Sequence, residues 1–252
     1  MKNVALIIAR LSSSRLPKKN MMLIEGKPMI AHLIERIKNS KFIDEIVITT
    51  SDDISDDDLE TFAKENRVSI FRGSLQDVMQ RTIDAAKHFQ ATNIVEILGD
   101  NPLVHHELID HVGELFIKTH SDYSATATKE YSFCDSVKLN LFSIGVRVQI
   151  YKSDIAYRYP EFKKSIKEDH HPSSFIFNNP EIFKLSFLEA NGQWSFLNKP
   201  DVNFAVNYQK NFEFMKKVFS TLYASDHIFS LKEVIELINK DPRLLSLLGA
   251  EN

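Results

Sequence analysis

The stretch Ala9-Arg10-Leu11-Ser12-Ser13-Ser14-Arg15-Leu16-Pro17-Lys18-Lys19 places four cations and three hydroxyls within eleven residues. Fixed cations, hydroxyls and backbone N–H groups at the carboxyl end of a strand are what the dense negative charge of a triphosphate needs. The bland alternative is a solvated basic loop. Its position directly after an apolar run, and a second motif further along, weigh against that alternative. The second motif is Gly99-Asp100-Asn101-Pro102. Asp100 also follows an apolar run and precedes a turn-forming Asn-Pro, so its carboxylate is expected at the ligand edge as a Mg²⁺ ligand. Mg²⁺ is typically held by one or two carboxylates together with substrate phosphates. The competing reading makes Asp100 the N-cap of a helix near His105. Phosphoryl transfer rests on positioning and charge neutralisation, so no covalent nucleophile is required.

These motifs need elements to hold them. Val4 to Ala9 is apolar without alternation, which suits a strand buried on both faces. Pro28 then opens a helix, with Ile30, Leu33, Ile34 and Ile37 as its buried stripe. The alternation repeats. Ile46 to Ile48 is a second strand, Leu59, Phe62 and Ala63 mark a second helix, and Val68 to Phe71 is a short third strand. Residues 75–89 form a third helix and Ile94 to Leu98 a fourth strand. Strands alternating with helices imply βαβ units and a mostly parallel sheet, with ligands collecting at the carboxyl ends of the strands. Beyond residue 120 the pattern weakens. Residues 139–150 read as a strand, Ile182 to Leu188 as another, and Phe212 to Leu222 and Ser230 to Asn239 as helices. No repeat, low-complexity tract or flexible linker interrupts the 252 residues.

Composition narrows the class. Hydrophobic residues at 43% suffice for a core, and a net charge of −3 gives no sign of a nucleic-acid binder. An anionic ligand must therefore be held by local positive charge. One cysteine, Cys134, leaves no internal disulfide or cysteine-based zinc site and suits a reducing compartment. The apolar N-terminal run stops at Arg10, too short for a signal segment or membrane span, so a cytoplasmic protein is expected.

The basic stretch resembles the A-R-x-x-S-x-R-L-P-x-K signature of the cytidylyltransferases that activate acidic sugars, among them the acylneuraminate and 3-deoxy-manno-octulosonate enzymes. The nearest likeness is to the branch of spore coat polysaccharide biosynthesis protein F. Gly26-Lys27-Pro28-Met29, Asp44-Glu45-Ile46-Val47 with Thr50-Ser51-Asp52, Phe71-Arg72-Gly73-Ser74 with Asp77-Val78, and Gly99-Asp100-Asn101-Pro102-Leu103 match the same pattern. The match is continuous over residues 4–110 and fainter to about 220. It implies a nucleotide-diphosphosugar-transferase-like fold: a three-layer α/β/α domain over a mostly parallel twisted sheet, with a small dimerisation and acceptor-binding lobe. It divides one domain, 1–252, into a CTP-binding half (1–120), an acceptor and dimerisation region (121–200), and a returning core strand with C-terminal helices (201–252). It implies transfer of CMP from CTP to a 2-keto acidic sugar for surface polysaccharide synthesis, with Mg²⁺ as cofactor and a homodimer as the assembly. Arg10 and Lys19 would hold phosphates and stabilise developing charge, and Ser13 and Arg15 would complete the loop. Arg72 and Asp77 would lie by the nucleoside, flanked by Thr50, Ser51 and Asp52.

The chain also departs from that pattern. Asn207 stands where the family has a metal-binding Asp, offering a neutral carbonyl oxygen instead of a carboxylate. The family's G-L-D-V-E-V reads Gly145-Val146-Arg147-Val148-Gln149-Ile150. Arg147 there can pair bidentately with a carboxylate, replace the charge of a second metal, or be an exposed strand arginine. The family's R-E-H-V-T-P reads Lys167-Glu168-Asp169-His170-His171-Pro172, and Ile8 and Ser12 replace Gln and Gly. These changes leave two alternatives: a different acidic acceptor such as a phosphonate, or a retired nucleotide-binding homologue. The acidic run Asp52 to Asp58 lacks the glycine and terminal glutamate of a calcium loop and reads as a helix start. His105, His106 and His111, and His170 with His171, lack a convincing zinc ligand set.

Overall fold

The computed structural model describes residues 1–131, 138–163, 173–224 and 228–249. Seven strands form one sheet in the order β5-β4-β1-β6-β8-β7-β9. Strands β1 (Asn3–Ile8), β4 (Glu45–Ser51), β5 (Ser69–Gly73) and β6 (Asn93–Leu98) are mutually parallel. Strand β8 (Gln149–Lys152) runs antiparallel to β6 and to β7 (Tyr123–Thr126), and β9 (Leu185–Leu188) is parallel to β7. The chain beyond residue 120 thus adds three strands to the sheet begun before it. A separate hairpin, β2 (Leu23–Ile24) and β3 (Lys27–Pro28), turns through Glu25 and Gly26, both at positive φ. That pairing is the type I′ geometry that matches strand twist.

Helices cover both faces, because successive residues of each strand point to opposite sides. Ala5, Ile7, Ile48, Val95 and Ile97 pack with α1 (Met29–Ile37), α2 (Asp57–Asn66), α4 (His106–Thr119), α8 (Gln209–Leu222) and α9 (Leu231–Lys240). Val4, Leu6, Val47, Ile94, Tyr123 and Tyr151 pack with α3 (Val78–His88) and the short helices α5 (Ser153–Ala156), α6 (Tyr159–Phe162) and α7 (Ser174–Phe177). The result is the three-layer α/β/α architecture with a mostly parallel sheet.

Two expectations need correction. The strand expected over residues 139–150 pairs continuously only from Gln149; Phe142 and Ile144 make isolated bridges. The break lies at Gly145, whose φ of +85° leaves the extended region. A Cβ there would lie 2.3 Å from the Ala205 nitrogen, so only glycine permits this approach. The returning core strand expected after residue 200 is not a strand either. Phe204 N donates to Ile144 O (2.8 Å) and Val206 N to Asp100 O (2.8 Å), so this segment bonds two different neighbours in turn and builds no ladder.

Candidate active site

The loop after β1 is shaped by its two leucines. Leu11 and Leu16 are buried in the core, and the Lys18 N–H donates to Leu11 O (2.9 Å), closing the loop base. With those side chains inside, Ser12, Ser14, Arg10 and Arg15 are left exposed. Arg10 has no ion pair among the described residues, and Arg15 lies over the Tyr208 ring at 5.6 Å. The Ser13 hydroxyl accepts from Leu16 N (3.4 Å), stiffening the turn. Lys18 adopts left-handed backbone and pairs with exposed Asp58. The loop then turns Lys19 inward.

Lys19 is the centre of the site. It is 7% exposed. Its Nζ donates to Asp100 Oδ2 (2.9 Å) and Val206 O (2.7 Å), and lies 3.4 Å from Asn207 Oδ1. The loop after β1, the turn after β6 and the segment before α8 therefore meet at one ammonium. Gly99 makes this possible: a Cβ there would be 3.0 Å from Ala9 Cβ and Ile8 O. Asp100 does not cap α4, whose N-cap is His105 accepting from Glu107 N (3.4 Å). Asn207 is held in place because Asn211 Oδ1 accepts from the Asn207 and Tyr208 N–H groups (3.1 and 3.0 Å).

Three oxygens of different kinds thus converge on one cation: a carboxylate, an amide and a backbone carbonyl. Such hard donors suit Mg²⁺, and Asp100 with Asn207 are the residues able to hold it. No group of three His, Cys, Asp or Glu side chains gathers among the described residues. The pair His170 and His171, and the whole 167–172 segment, lie outside them.

The other expected site residues are placed differently. Ser51 is fully buried and its hydroxyl donates to Asp56. The Arg72 guanidinium is committed to Ser51 O, Asp53 O, Asp57 and Glu60 at 2.6–3.0 Å, a strut between β5 and α2. Asp77 caps α3 through Gln80 N (2.9 Å) and also accepts from Tyr159 (3.1 Å) and Lys163 (2.5 Å), tying α3 to α6. Burial would raise its carboxyl, but these partners hold it below the usual carboxylate range. Arg147 is 4% exposed, buried where an exposed strand arginine was one expectation.

The family model described as cytidylyltransferase matches residues 4–237. This chain belongs to the cytidylyltransferase family. It is similar to spore coat polysaccharide biosynthesis protein SpsF of Bacillus subtilis, 27% identical over 242 residues, 94% of each chain. It is also similar to 3-deoxy-manno-octulosonate cytidylyltransferase of Pelobacter propionicus, 34% identical over 106 residues, covering 42% of this chain and 41% of the other. A solved cytidylyltransferase from Leptospira borgpetersenii superposes with a TM-score of 0.83 at 26% identity over the full length of both chains. The protein is a CTP-dependent nucleotidyltransferase. No helix among its described residues is long and apolar enough to cross a membrane.

Two residues of this cytidylyltransferase escaped the sequence reading. Asp56, read as part of a helix start, has no exposed surface. Its Oδ1 accepts from Leu11 N (2.6 Å), and its Oδ2 accepts from Ser51 N (3.1 Å) and from the Ser51 hydroxyl. One carboxylate thus clamps the phosphate-type loop to the end of β4. Arg81, 1% exposed, donates to Ser74 O (2.7 Å) and lies within electrostatic reach of Asp56, Asp52 and Arg10. Burial lowers its pKa first, and Arg10 adds to that while the acids oppose it. The only sequence signal was polar residues at positions that helical periodicity assigns to a buried face.

Proposed function

We propose that this cytidylyltransferase transfers CMP from CTP to a hydroxyl of an acidic 2-keto sugar, for surface polysaccharide synthesis. The observation that carries the reading is the meeting of Lys19 with Asp100, Val206 O and Asn207, on the loop that leaves Arg10 exposed and without an ion pair among the described residues. A triphosphate lying across this edge would meet Arg10 and Arg15 on the loop and Lys19 under it. The acceptor oxygen forms a bond to the α-phosphorus as the bond to the β-phosphate oxygen breaks. Pyrophosphate leaves with that electron pair, and the hydroxyl proton passes to solvent. Lys19 and Arg10 stabilise charge that grows on the transferring phosphate, where preorganised cations count most. Mg²⁺, held by Asp100 and by the Asn207 amide oxygen, would supply further neutralisation of the phosphates. With one carboxylate where the family pattern has two, metal affinity is lower than for a two-acid site. The test is pyrophosphate release with each nucleoside triphosphate, Mg²⁺, and 3-deoxy-manno-octulosonate or N-acetylneuraminate. Release confined to CTP is expected; tight CTP binding without release across acidic sugars and a phosphonate alcohol would overturn the reading. Pairing of two copies belongs to the same reading and is checked by sedimentation.

A further inference from the structure

Arg147 is anomalous among the arginines of the interior. Arg36 donates to Phe229 O and Leu103 O, and Arg81 to Ser74 O. The Arg147 guanidinium is as deeply buried as those of Arg36 and Arg81 and shares their unpartnered Nε, yet unlike them it donates a hydrogen bond to none of the described residues. Among the described residues its one ion pair is with Glu130 Oε1 at 3.3 Å, and it lies 5.8 Å from the centre of the Tyr131 ring. A guanidinium carries five N–H donors, and burying them unmet is costly. Glu130, Glu96 and the Tyr131 and Tyr123 hydroxyls offset the charge, yet none of its N–H groups is committed to a hydrogen bond among the described residues, which points to an anionic ligand.

Its place in the fold says which anion. Arg147 lies two residues before Gln149, which faces Glu96 across the β6–β8 ladder. Because β8 is antiparallel to β6, Arg147 lies toward the end of the sheet where β6 delivers Asp100. The segment 204–206 confirms the neighbourhood, bonding Ile144 at one end and Asp100 at the other. Beside Arg147 on the same sheet face lies a floor of hydrogen-bonding groups. Tyr123 OH donates to Gln149 Oε1 (2.6 Å) and meets Tyr131 OH (3.0 Å), and Tyr151 OH donates to Glu96 (2.6 Å).

Resting on the CMP-transfer reading, we propose that Arg147 anchors the carboxylate of the acceptor, and that Glu130 is a placeholder which that carboxylate displaces. The exchange replaces one carboxylate by another, so the buried guanidinium is never left without a counter-ion. Glu130 suits this role because its side chain is 32% exposed and can turn to water. The planar guanidinium fork matches a carboxylate through two parallel hydrogen bonds, which a lysine cannot reproduce.

The two partners of one ion pair should then respond with opposite sign. Pyrophosphate release is measured with CTP and either N-acetylneuraminate or 3-deoxy-manno-octulosonate, each as the acid and as its methyl ester. Arg147→Gln should raise the acceptor KM at least 30-fold for the acid, less than threefold for the ester, and leave the KM for CTP within threefold. Glu130→Gln should hold or lower the KM for the acid. If Arg147→Gln does not fold, Arg147→Lys should still weaken the acid selectively over the ester. Equal damage from Glu130→Gln and Arg147→Gln, equal losses for acid and ester, or a matching rise in the KM for CTP would mark a structural ion pair and overturn the proposal. Turnover of hydroxymethylphosphonate in place of both sugar acids would overturn the carboxylate while sparing CMP transfer. No pyrophosphate release with any acceptor would instead remove the transfer reading itself, and this inference with it.

Discussion

Lys19 and Asp56 do different work on the same loop, and substitutions separate them. Lys19→Met removes the charge aimed at the phosphates and leaves Asp100 and Val206 O without their donor. A fall in kcat/KM of about 10²- to 10³-fold is expected, as for loss of one transition-state donor. Arg10→Ala, at an exposed position, should lower kcat/KM strongly with little change in melting temperature. Asp56 touches no ligand in the proposed arrangement and acts through Leu11 and Ser51. Asp56→Asn keeps one acceptor oxygen where two are used, so one buried N–H loses its partner at a cost of about 1–3 kcal/mol. Denaturant unfolding should register that loss, and the KM for CTP should rise as the loop loosens. Normal kcat/KM in both Arg10→Ala and Lys19→Met would remove the phosphate assignment.

At the scale of elements, the site depends on two close approaches of backbone. Gly99 lets β6 end against Ala9, and Gly145 lets the segment before β8 lie against Phe204 and Ala205. That second contact fixes residues 204–207, and with them Val206 O and Asn207 around Lys19. Gly145→Ala combines a positive φ with a clash against backbone that has no rotamer to move. A loss of more than about 2 kcal/mol is expected from mechanisms of this kind, together with a disproportionate loss of CTP affinity. Gly192→Ala is the control: its φ is also positive, at +51°, but nothing lies within 4 Å of the added carbon. Equal effects of the two changes would show that conformation, not the approach to 204–205, sets the requirement.

For the whole molecule, buried imidazoles set the response to acid. His105 is pushed down to about 3, by burial first and then by Arg36 and His106. Burial also lowers His32. In the unfolded chain a histidine titrates near pH 6.5. Between those limits the unfolded state binds the extra proton, so stability is complete above about pH 7 and falls as pH drops below 6.5. From His105 alone the slope is at most about 1.4 kcal/mol per pH unit. Melting temperature should therefore decline from pH 6.5 to 5, and His105→Gln should flatten part of that decline. Parallel curves for the two proteins would rule out this origin.

The alternation of apolar runs with helical stripes was legible because it follows from geometry within ten or so residues: a strand covered on both faces must be apolar throughout, and a helix must repeat every 3.6 residues. Arg10 and Asp100 were legible because each comes at the end of a run of that kind, and Lys19 because it closes the basic stretch that follows the first run. Their meeting at Lys19 Nζ was not legible, since it joins residues 81 to 188 positions apart. Nor were the burial of Ser51, the commitment of Arg72 and the clamp at Asp56, because a side chain's partners depend on which chain segments fold over it. Arg147 shows the difference most sharply. Its type and position in the sequence raised a carboxylate ligand, a metal substitute and an exposed strand arginine alike. The tertiary structure excluded exposure, because the surrounding sheet and helices take that guanidinium out of water, with Glu130 as its ion-pair partner among the described residues.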